Sequence, residues 1–537
     1  MSGGILNSCQ GINLPMRTEI VAGGSILIYP KRSLSELRDD DCRRRNMTTQ
    51  SLILTGVGIY MALMIAVGYY ASRKSHSLTD FVIAGRKMPF WLCSTSVFAT
   101  WFGSGTMMGA ATAAYEGDTL LMIGEPFGSG LALLITGLFF ARLYRRSRRL
   151  TWPEFFEARF GKLAGTFAAI ADVTASIIWL GGVLFTFGVL LESLTGAPMA
   201  AGIFGGLFVI VVYTMIGGMW AVALTDFVQM LVFIVGMFIL LYFVLDDAGG
   251  WSNVVAQLPE HSFRLMPLEH SVANWLEYIH VWMAMGVAAV ASSSIIQRAL
   301  SARTESIAQN SFYLAAFGYL TIGLVPLMLG FAATVTMPGL DDPNAVLTDL
   351  AIKHLNPVFV AVFIGAILSA ILSTSDSILL AVSSIASTNL LPLLKPAPSE
   401  KLRLQVARFA IPVCGLLATY IAFNADRVVQ VLIDSTAVLL AAIIVPFVLC
   451  FCWQKANRSG ALAGMFSGLV TWMGASAIGT EFPADLIGFL VSAVAMVLVS
   501  LLTQTIDAPQ PLTDIDGNPV DLSRRVRVAP STRSLPF

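Results

Sequence analysis

Long apolar runs separated by short polar segments dominate this chain of 537 residues. A helix needs about 20 apolar residues to cross a bilayer, and thirteen runs meet that length. The pattern predicts an all-α integral membrane protein with about 13 transmembrane helices. The predicted spans are 52–72, 91–114, 120–141, 164–190, 197–216, 222–245, 275–297, 311–337, 357–390, 405–423, 428–451, 460–479 and 484–503.

The second predicted span is interrupted by polar and small residues. Gly103 and Gly105 lie in mid-span, with Thr100, Ser104 and Thr106 around them. Glycine costs a helix interior about 1 kcal/mol relative to alanine. In a bilayer, an open backbone is tolerated only where it lines a cavity or holds a ligand. We predict a discontinuous helix whose break binds a cation and a substrate; the alternative is a helix-packing face of small residues.

The span 357–390 is unusually rich in hydroxyl groups. Ser373 and Ser377 are four residues apart, and Thr374 borders the same helix face. Together with two open carbonyls, these hydroxyls would form an oxygen-only site for a small monovalent cation. The alternative is that the serines bond back to carbonyls of their own helix.

Other spans carry polar or aromatic candidates for a ligand site. Glu125 is an ionisable group at membrane depth, with Ser129 one turn later, and such groups are functional candidates by default. Alternatively, Glu125 satisfies carbonyls that Pro126 frees. Trp179 either lines the ligand site or packs at an interface. Ser292 belongs to a second candidate broken helix in the span 275–297.

Composition narrows the class of protein. The chain is 56% hydrophobic and 12% charged, with mean hydropathy +0.75, which excludes an ordinary soluble domain. The formal net charge is zero, so no nucleic-acid partner is indicated. The six cysteines are spaced as isolated thiols rather than as a disulfide framework or metal site.

The basic residues predict the orientation of the chain. Lys and Arg concentrate in alternate loops, such as 142–163 and the segment with Arg298 and Arg303. The positive-inside rule then places the N-terminus outside and the C-terminus in the cytoplasm of a bacterial-type inner membrane. Residues 1–46 are too basic for that side, so we predict that Met47 is the initiator. The predicted organisation is 1–46 extramembrane, 47–505 transmembrane and 506–537 a cytoplasmic tail.

Three motifs resemble those of the sodium/solute symporter family, which includes sodium/proline, sodium/glucose and high-affinity choline transporters. The motifs are Gly217-Gly218-Met219-x-Ala221 with Thr225-Asp226-x-x-Gln229, Ser373-Thr374-Ser375-Asp376-Ser377, and Lys455-x-x-x-x-Gly460-Ala461. The resemblance covers about 50–505. It implies the LeuT-type fold: two inverted five-helix repeats, each opened by a broken helix, with one extra N-terminal and two extra C-terminal helices.

The resemblance also implies sodium ligands. The family's conserved site would use the carbonyls of Ala99, Phe102 and Ala370 and the hydroxyls of Ser373 and Thr374. A second sodium site, found in some members, would match Asp226, Ser373, Asp376 and Ser377, although some members have Ser where this chain has Asp376.

Substrate contacts follow from the same resemblance. The residues around Trp101, with Trp179 and Gln297-Arg298, look most like the choline transporters, in which aromatic rings enclose a quaternary ammonium. That group has a tryptophan where this chain has Ser292, and a tyrosine near Ser129. Glu125 matches a substrate-contacting glutamate of the sodium/glucose branch. The predicted substrate contacts are Trp101, Gly103, Ser104, Glu125, Ser129, Trp179 and Ser292.

These observations predict a sodium-coupled symporter that imports a small organic solute, such as an amino acid, quaternary amine or monocarboxylate, by alternating access. The alternatives are a solute sensor without net transport, a channel, and proton coupling through Asp172 or Glu125. An enzyme is not expected, because no Ser-His-Asp, histidine-rich or P-loop pattern is present. The expected partners are sodium, the solute and the lipid bilayer; the sequence leaves the oligomeric state open.

Overall fold

The computed structural model describes residues 54–103, 105–267, 269–340, 342–424 and 435–522. The predicted segment 1–46, Met47 and Ser104 therefore lie outside the described residues. Within them the chain is helical, with two isolated β-bridges. The main helices are α1 Leu54–Ser72, α2 Leu78–Ile83, α3 Phe90–Trp101, α4 Ala110–Glu116, α5 Ile123–Ser147, α6 Pro153–Phe160, α7 Lys162–Thr195, α8 Met199–Asp247, α9 Trp251–Gln257, α10 Val272–Ala291, α11 Ser293–Ser301, α12 Glu305–Thr336, α13 Val346–His354, α14 Pro357–Leu394, α15 Glu400–Phe423, α16 Ser435–Cys452, α17 Arg458–Ile478 and α18 Ala484–Leu502.

The helices of the described residues account for the predicted spans. Ten of them are long and apolar enough to cross a membrane, and the bent pair α10 and α11 makes an eleventh span. At about 1.5 Å per residue, the 49 residues of α8 are too long for one crossing of a core about 30 Å thick. Counting α8 as two spans, and α3 with α4 as one broken span, gives thirteen.

Both predicted helix breaks are confirmed. The first helix of the broken span, α3, starts after Pro89 and ends at Trp101, because Phe102 leaves the helix with ψ 66°. Helical structure resumes at Gly105. The second break is at Ser292, where ψ is 124° and the helix axis bends by 42° between α10 and α11.

The two spans of α8 meet at a turn that only glycine fits. Gly218 has φ 58° and ψ −145°, a conformation that side-chain-bearing residues rarely adopt. A Cβ atom at this position would lie 2.5 Å from the carbonyl oxygen of Phe81. The short helix α2, which contains Phe81, is capped by reciprocal hydrogen bonds between Ser77 and Asp80. The turn in α8 is therefore seated directly against α2.

The hydroxyl-rich helix α14 lies at the centre of the bundle. Its residues from Phe363 to Ile385 are buried, and it packs along α8, α7 and α15 and against α3. In contrast, α17 and α18 pack mainly against each other and expose large apolar side chains such as Phe466 and Leu490. Exposed apolar side chains on long helices suit a lipid environment. The polar groups of α14, by contrast, are buried at the protein interior.

The segment that follows α18 folds back onto the basic end of α5. The Arg149 guanidinium donates to the carbonyl oxygens of Thr513 (2.7 Å) and Asp514 (3.2 Å). The Asp514 carboxylate accepts from the backbone of Asp516 and Asn518, which forms a tight turn. Leu512 in this hairpin is buried. Together with the Arg149 hydrogen bonds, it holds the hairpin against the bundle.

Candidate functional site

The break after α3 faces the middle of α14. The Ser373 hydroxyl lies 3.1 Å from the carbonyl oxygen of Ala99, in the last turn of α3. Next to it, the Thr374 hydroxyl bonds back to Ala370 at 3.3 Å. A Cβ atom on Gly103 would lie 2.5 Å from Thr374 Oγ1. Glycine therefore lets the broken backbone approach the α14 hydroxyls.

The predicted sodium ligands lie around this contact. A cavity of about 10 Å³ is lined by Ala99, Phe102, Ala370 and Ser373, together with other residues, which is room for about one water-sized species. The buried amide of Gln229 borders the same cavity. Carbonyl and hydroxyl oxygens are the donors that hard cations prefer, so the residues present fit a small monovalent cation.

Beside this cavity lies Asp226, a fully buried carboxylate. Its Oδ1 is 2.5 Å from the Ser373 hydroxyl, and its Oδ2 accepts from Ser96 at 2.5 Å. A hydroxyl carries one proton, so Ser373 shares its proton between Asp226 and the Ala99 carbonyl. The guanidinium of Arg298, also fully buried, lies 3.7 Å from Asp226 Oδ2. These contacts connect a buried ion pair directly to the predicted sodium ligands.

The other carboxylate of the predicted second sodium site, Asp376, is in the same cluster. It accepts from the Tyr213 hydroxyl at 2.5 Å and from Ser377 at 3.1 Å. Arg298 in turn donates to Ser377. The structure thus brings together all four residues of the predicted second site, with a guanidinium among them. The prediction that Arg298 is a loop charge is wrong, because its side chain is completely buried.

A larger cavity, of about 90 Å³, lies at the centre of the bundle. Two indole rings, those of Trp101 and Trp179, form part of its wall. Glu125 also lines it and accepts from Thr106 at 2.8 Å and from Ser129 at 2.7 Å. Both carboxylate oxygens of Glu125 are therefore held in place by hydroxyl groups from its own and the neighbouring broken span.

A second carboxylate, Asp172, lines the same cavity and accepts from the Ser293 hydroxyl at the start of α11. Among the described residues, the lining includes these two acidic side chains and no Lys, Arg or His. The cavity therefore combines aromatic faces with two carboxylates and without a compensating base.

Most of the predicted substrate contacts are assembled at this cavity. Trp101, Glu125, Ser129, Trp179 and Ser292 line it. Gly103 instead faces Thr374, and Ser104 lies outside the described residues. Sequence reasoning missed Asp172 as a lining residue and considered it only for proton coupling. The sequence did contain a signal for Asp172, because an ionisable residue within an apolar span is a candidate for a ligand site. The lining residues Ser294 and Thr436 gave no such signal.

The family model described as "Sodium:solute symporter family" matches residues 81–468. The human high affinity choline transporter 1 is 28% identical over 436 residues, which are 78% of this chain and 74% of the relative. A sodium/glucose cotransporter from Vibrio parahaemolyticus is 28% identical over 76% of this chain and 82% of the relative. For the Drosophila melanogaster high-affinity choline transporter 1, at 27% identity, the chain spans 62% of the relative's length.

The fold also matches a solved structure. A Na⁺-coupled sialic acid symporter in a substrate-bound, outward-open state superimposes with a TM-score of 0.75 at 20% identity, covering 85% of this chain and 98% of that one. The protein is a multi-pass membrane protein with the LeuT-type fold, and the family and these relatives are transporters rather than enzymes. On this evidence the chain belongs to the sodium:solute symporter family.

Proposed function

We propose that this protein is a sodium-coupled secondary active symporter that imports a small organic solute by alternating access. The observation that carries the proposal is the contact between the α3 break and α14, in which Ser373 meets the Ala99 carbonyl. We further propose a bacterial-type inner-membrane location, with the N-terminus outside and residues 506–537 in the cytoplasm. The concentration of basic residues in alternate loops supports this orientation.

In this proposal sodium binds between α3 and α14. Its ligands are the carbonyls of Ala99, Phe102 and Ala370 and the hydroxyls of Ser373 and Thr374. Sodium would hold the broken helix against α14 and so stabilise an outward-open, solute-ready state. Because coupling between binding sites is reciprocal, sodium and solute raise each other's affinity by the same factor. Trp101 of α3 and Thr374 of α14 both line the central cavity. The proposed sodium site and the solute site therefore share these two helices.

We infer that the solute is a small organic cation that carries an amine group. Two carboxylates, Glu125 and Asp172, line the central cavity without a basic partner among its described residues. An uncompensated buried charge is costly, and a bound organic cation would neutralise one of the two. The faces of Trp101 and Trp179 would add cation–π attraction. The likeness to the human high affinity choline transporter 1 agrees with a cationic solute.

Uptake into proteoliposomes tests the proposed coupling. An inward sodium gradient should drive uptake of an amine solute, and a proton gradient of equal size should not. Uptake driven by protons alone would favour the proton-coupled alternative. Solute binding without uptake under either gradient would indicate a sensor.

The solute class is tested by thermal-shift screening of the purified protein in sodium and in potassium chloride. We expect stabilisation by primary or quaternary amines in sodium and none by monocarboxylates or sugars. Glu125→Gln and Asp172→Asn should each weaken the response to primary amines by about tenfold, the scale of one lost charged hydrogen bond. The matched control Glu192→Gln removes an exposed carboxylate at the end of α7 and should leave the response unchanged.

A further inference from the structure

Arg298 occupies the middle of the residues that the sequence predicts as a second sodium site. It reaches Asp226 directly, at 3.7 Å, and it donates to Ser377, which itself donates to Asp376 at 3.1 Å. Two further donors fix the guanidinium: Nε bonds to Ser96 at 3.2 Å and Nη1 to the Ser294 carbonyl at 3.0 Å. Each of the three guanidinium nitrogens thus donates a hydrogen bond within the protein.

This arrangement leaves little room for a second metal cation. Both oxygens of Asp226 already accept hydrogen bonds from Ser96 and Ser373, and both oxygens of Asp376 accept from Tyr213 and Ser377. A sodium ion would have to displace several of these bonds. It would also have to approach a fixed positive charge in a medium of low dielectric, where like charges repel strongly.

The charge balance of the cluster points the same way. Two buried carboxylates and one guanidinium leave one negative charge uncompensated, which a single monovalent cation at the neighbouring Ala99–Ser373 contact would neutralise. Asp226 touches both partners: it faces Arg298 on one side and Ser373 on the other. When the Ser373 hydroxyl donates its hydrogen bond to Asp226, the lone pairs of that hydroxyl are left for the ion.

We propose that Arg298 is a permanent internal cation that takes the place of a second sodium ion, so that this transporter binds one sodium per solute. In this role Arg298 is a positioning residue, because it acts on the sodium ligand Ser373 through Asp226. The inference rests on the proposed sodium coupling and adds its stoichiometry.

Equilibrium binding of radioactive sodium to the purified protein, without solute, tests the proposal. Wild type should bind about one ion per polypeptide, with a Hill coefficient of about 1. The variant R298Q removes the guanidinium and keeps both carboxylates, so the cluster carries two negative charges that two sodium ions would balance. We expect it to bind about two ions, because sodium enters the vacated position beside Asp226 and Ser377.

Two single variants complete the experiment. R298K keeps a cation but loses the fork, so it should still bind one ion, with its half-saturating sodium concentration raised about tenfold through loss of charged hydrogen bonds. R303Q removes an exposed arginine just beyond α11 and should match wild type.

Two ions bound by wild type would overturn the proposal, and so would folded R298Q that still binds one. If R298Q aggregates on size-exclusion chromatography, the wild-type count decides. Absence of sodium binding by wild type would instead contradict the proposed function itself, so the two failures are distinguishable.

Discussion

The Ser373 hydroxyl lies 3.1 Å from the carbonyl oxygen of Ala99, although the two residues are 274 positions apart in the chain. One belongs to the last turn of a helix that stops within a predicted span, and the other to a helix whose residues from Phe363 to Ile385 are buried. Two distant segments thereby present bare oxygens to the same point. Two predictions follow from this contact, and two more concern the hairpin after α18 and the loop helix α13.

Removing either hydroxyl should weaken sodium binding selectively. Ser373→Ala and Thr374→Ala each delete one proposed ligand, so we expect the sodium concentration for half-maximal uptake to rise about tenfold or more. The control is Ser375→Ala, because this buried hydroxyl on the same helix bonds back to the Ile371 carbonyl, at 2.9 Å. Unchanged sodium dependence in both test variants would contradict the proposed ligand set.

Adding a methyl group at Gly103 should have a similar effect by a different route. Gly103→Ala puts a Cβ atom 2.5 Å from Thr374 Oγ1, so the break must move away from α14. We expect the apparent sodium affinity to fall by about tenfold or more, since helix contacts of this kind tolerate displacement poorly. Gly105→Ala is the matched control, because its Cβ would meet no atom within 4 Å. Equal sodium titrations of the two variants would exclude a role for this close approach.

Loss of one arginine should release the hairpin that follows α18. Arg149→Ala removes the donors to the Thr513 and Asp514 carbonyls, and bonds from charged donors contribute about 1.5–3 kcal/mol each. The Val520 amide, which bonds to Leu512 at 2.8 Å, should then exchange at least about tenfold faster by hydrogen–deuterium exchange. Arg264→Ala, at an exposed loop position, should not change it. If the Val520 amide exchanged at the same rate in Arg149→Ala, another contact would hold the hairpin.

The stability of the loop helix α13 should depend on pH. Partial burial, reinforced by the nearby charge of Asp342, raises the pKa of Asp349 from 3.8 to about 6. The folded state therefore binds more protons than the unfolded state between these values, so this group's contribution to stability falls as pH rises from about 4 to about 6.

The half-buried carboxylate is screened by solvent, which limits the effect to at most about 1 kcal/mol. Asp349→Asn should flatten that part of the melting-temperature profile, whereas removal of the exposed carboxylate in Glu260→Gln should not. A profile that is the same in Asp349→Asn and wild type would show that Asp349 does not titrate in this range.

The sequence was informative where local chemistry conflicts with a plain membrane helix. Glycines at 103 and 105 in an apolar run predicted the break, and the spacing of Ser373, Thr374 and Ser377 predicted a shared hydroxyl face. These signals are local, because each depends on residues within a few turns of one helix.

The burial of a side chain, and its contacts with other helices, could not be predicted in the same way. Arg298 sits near the end of an apolar run, where a loop charge and a buried charge have the same local sequence. Only the packing of α11 against α3 and α14 shows which one it is. Likewise, the place of Asp172 in the central cavity depends on the break at Ser292, which brings the start of α11 to within reach of it.

The close contact between Gly218 and Phe81 couples the α8 turn to helix α2, so the two should move together. Any rocking of the two α8 spans during a transport cycle would move α2 with them, because Gly218 has no side chain and its backbone lies directly against Phe81. A spin label at the exposed residue His76, just before α2, would then report motions that begin deep among the helices, without any probe being placed near the ion or the solute.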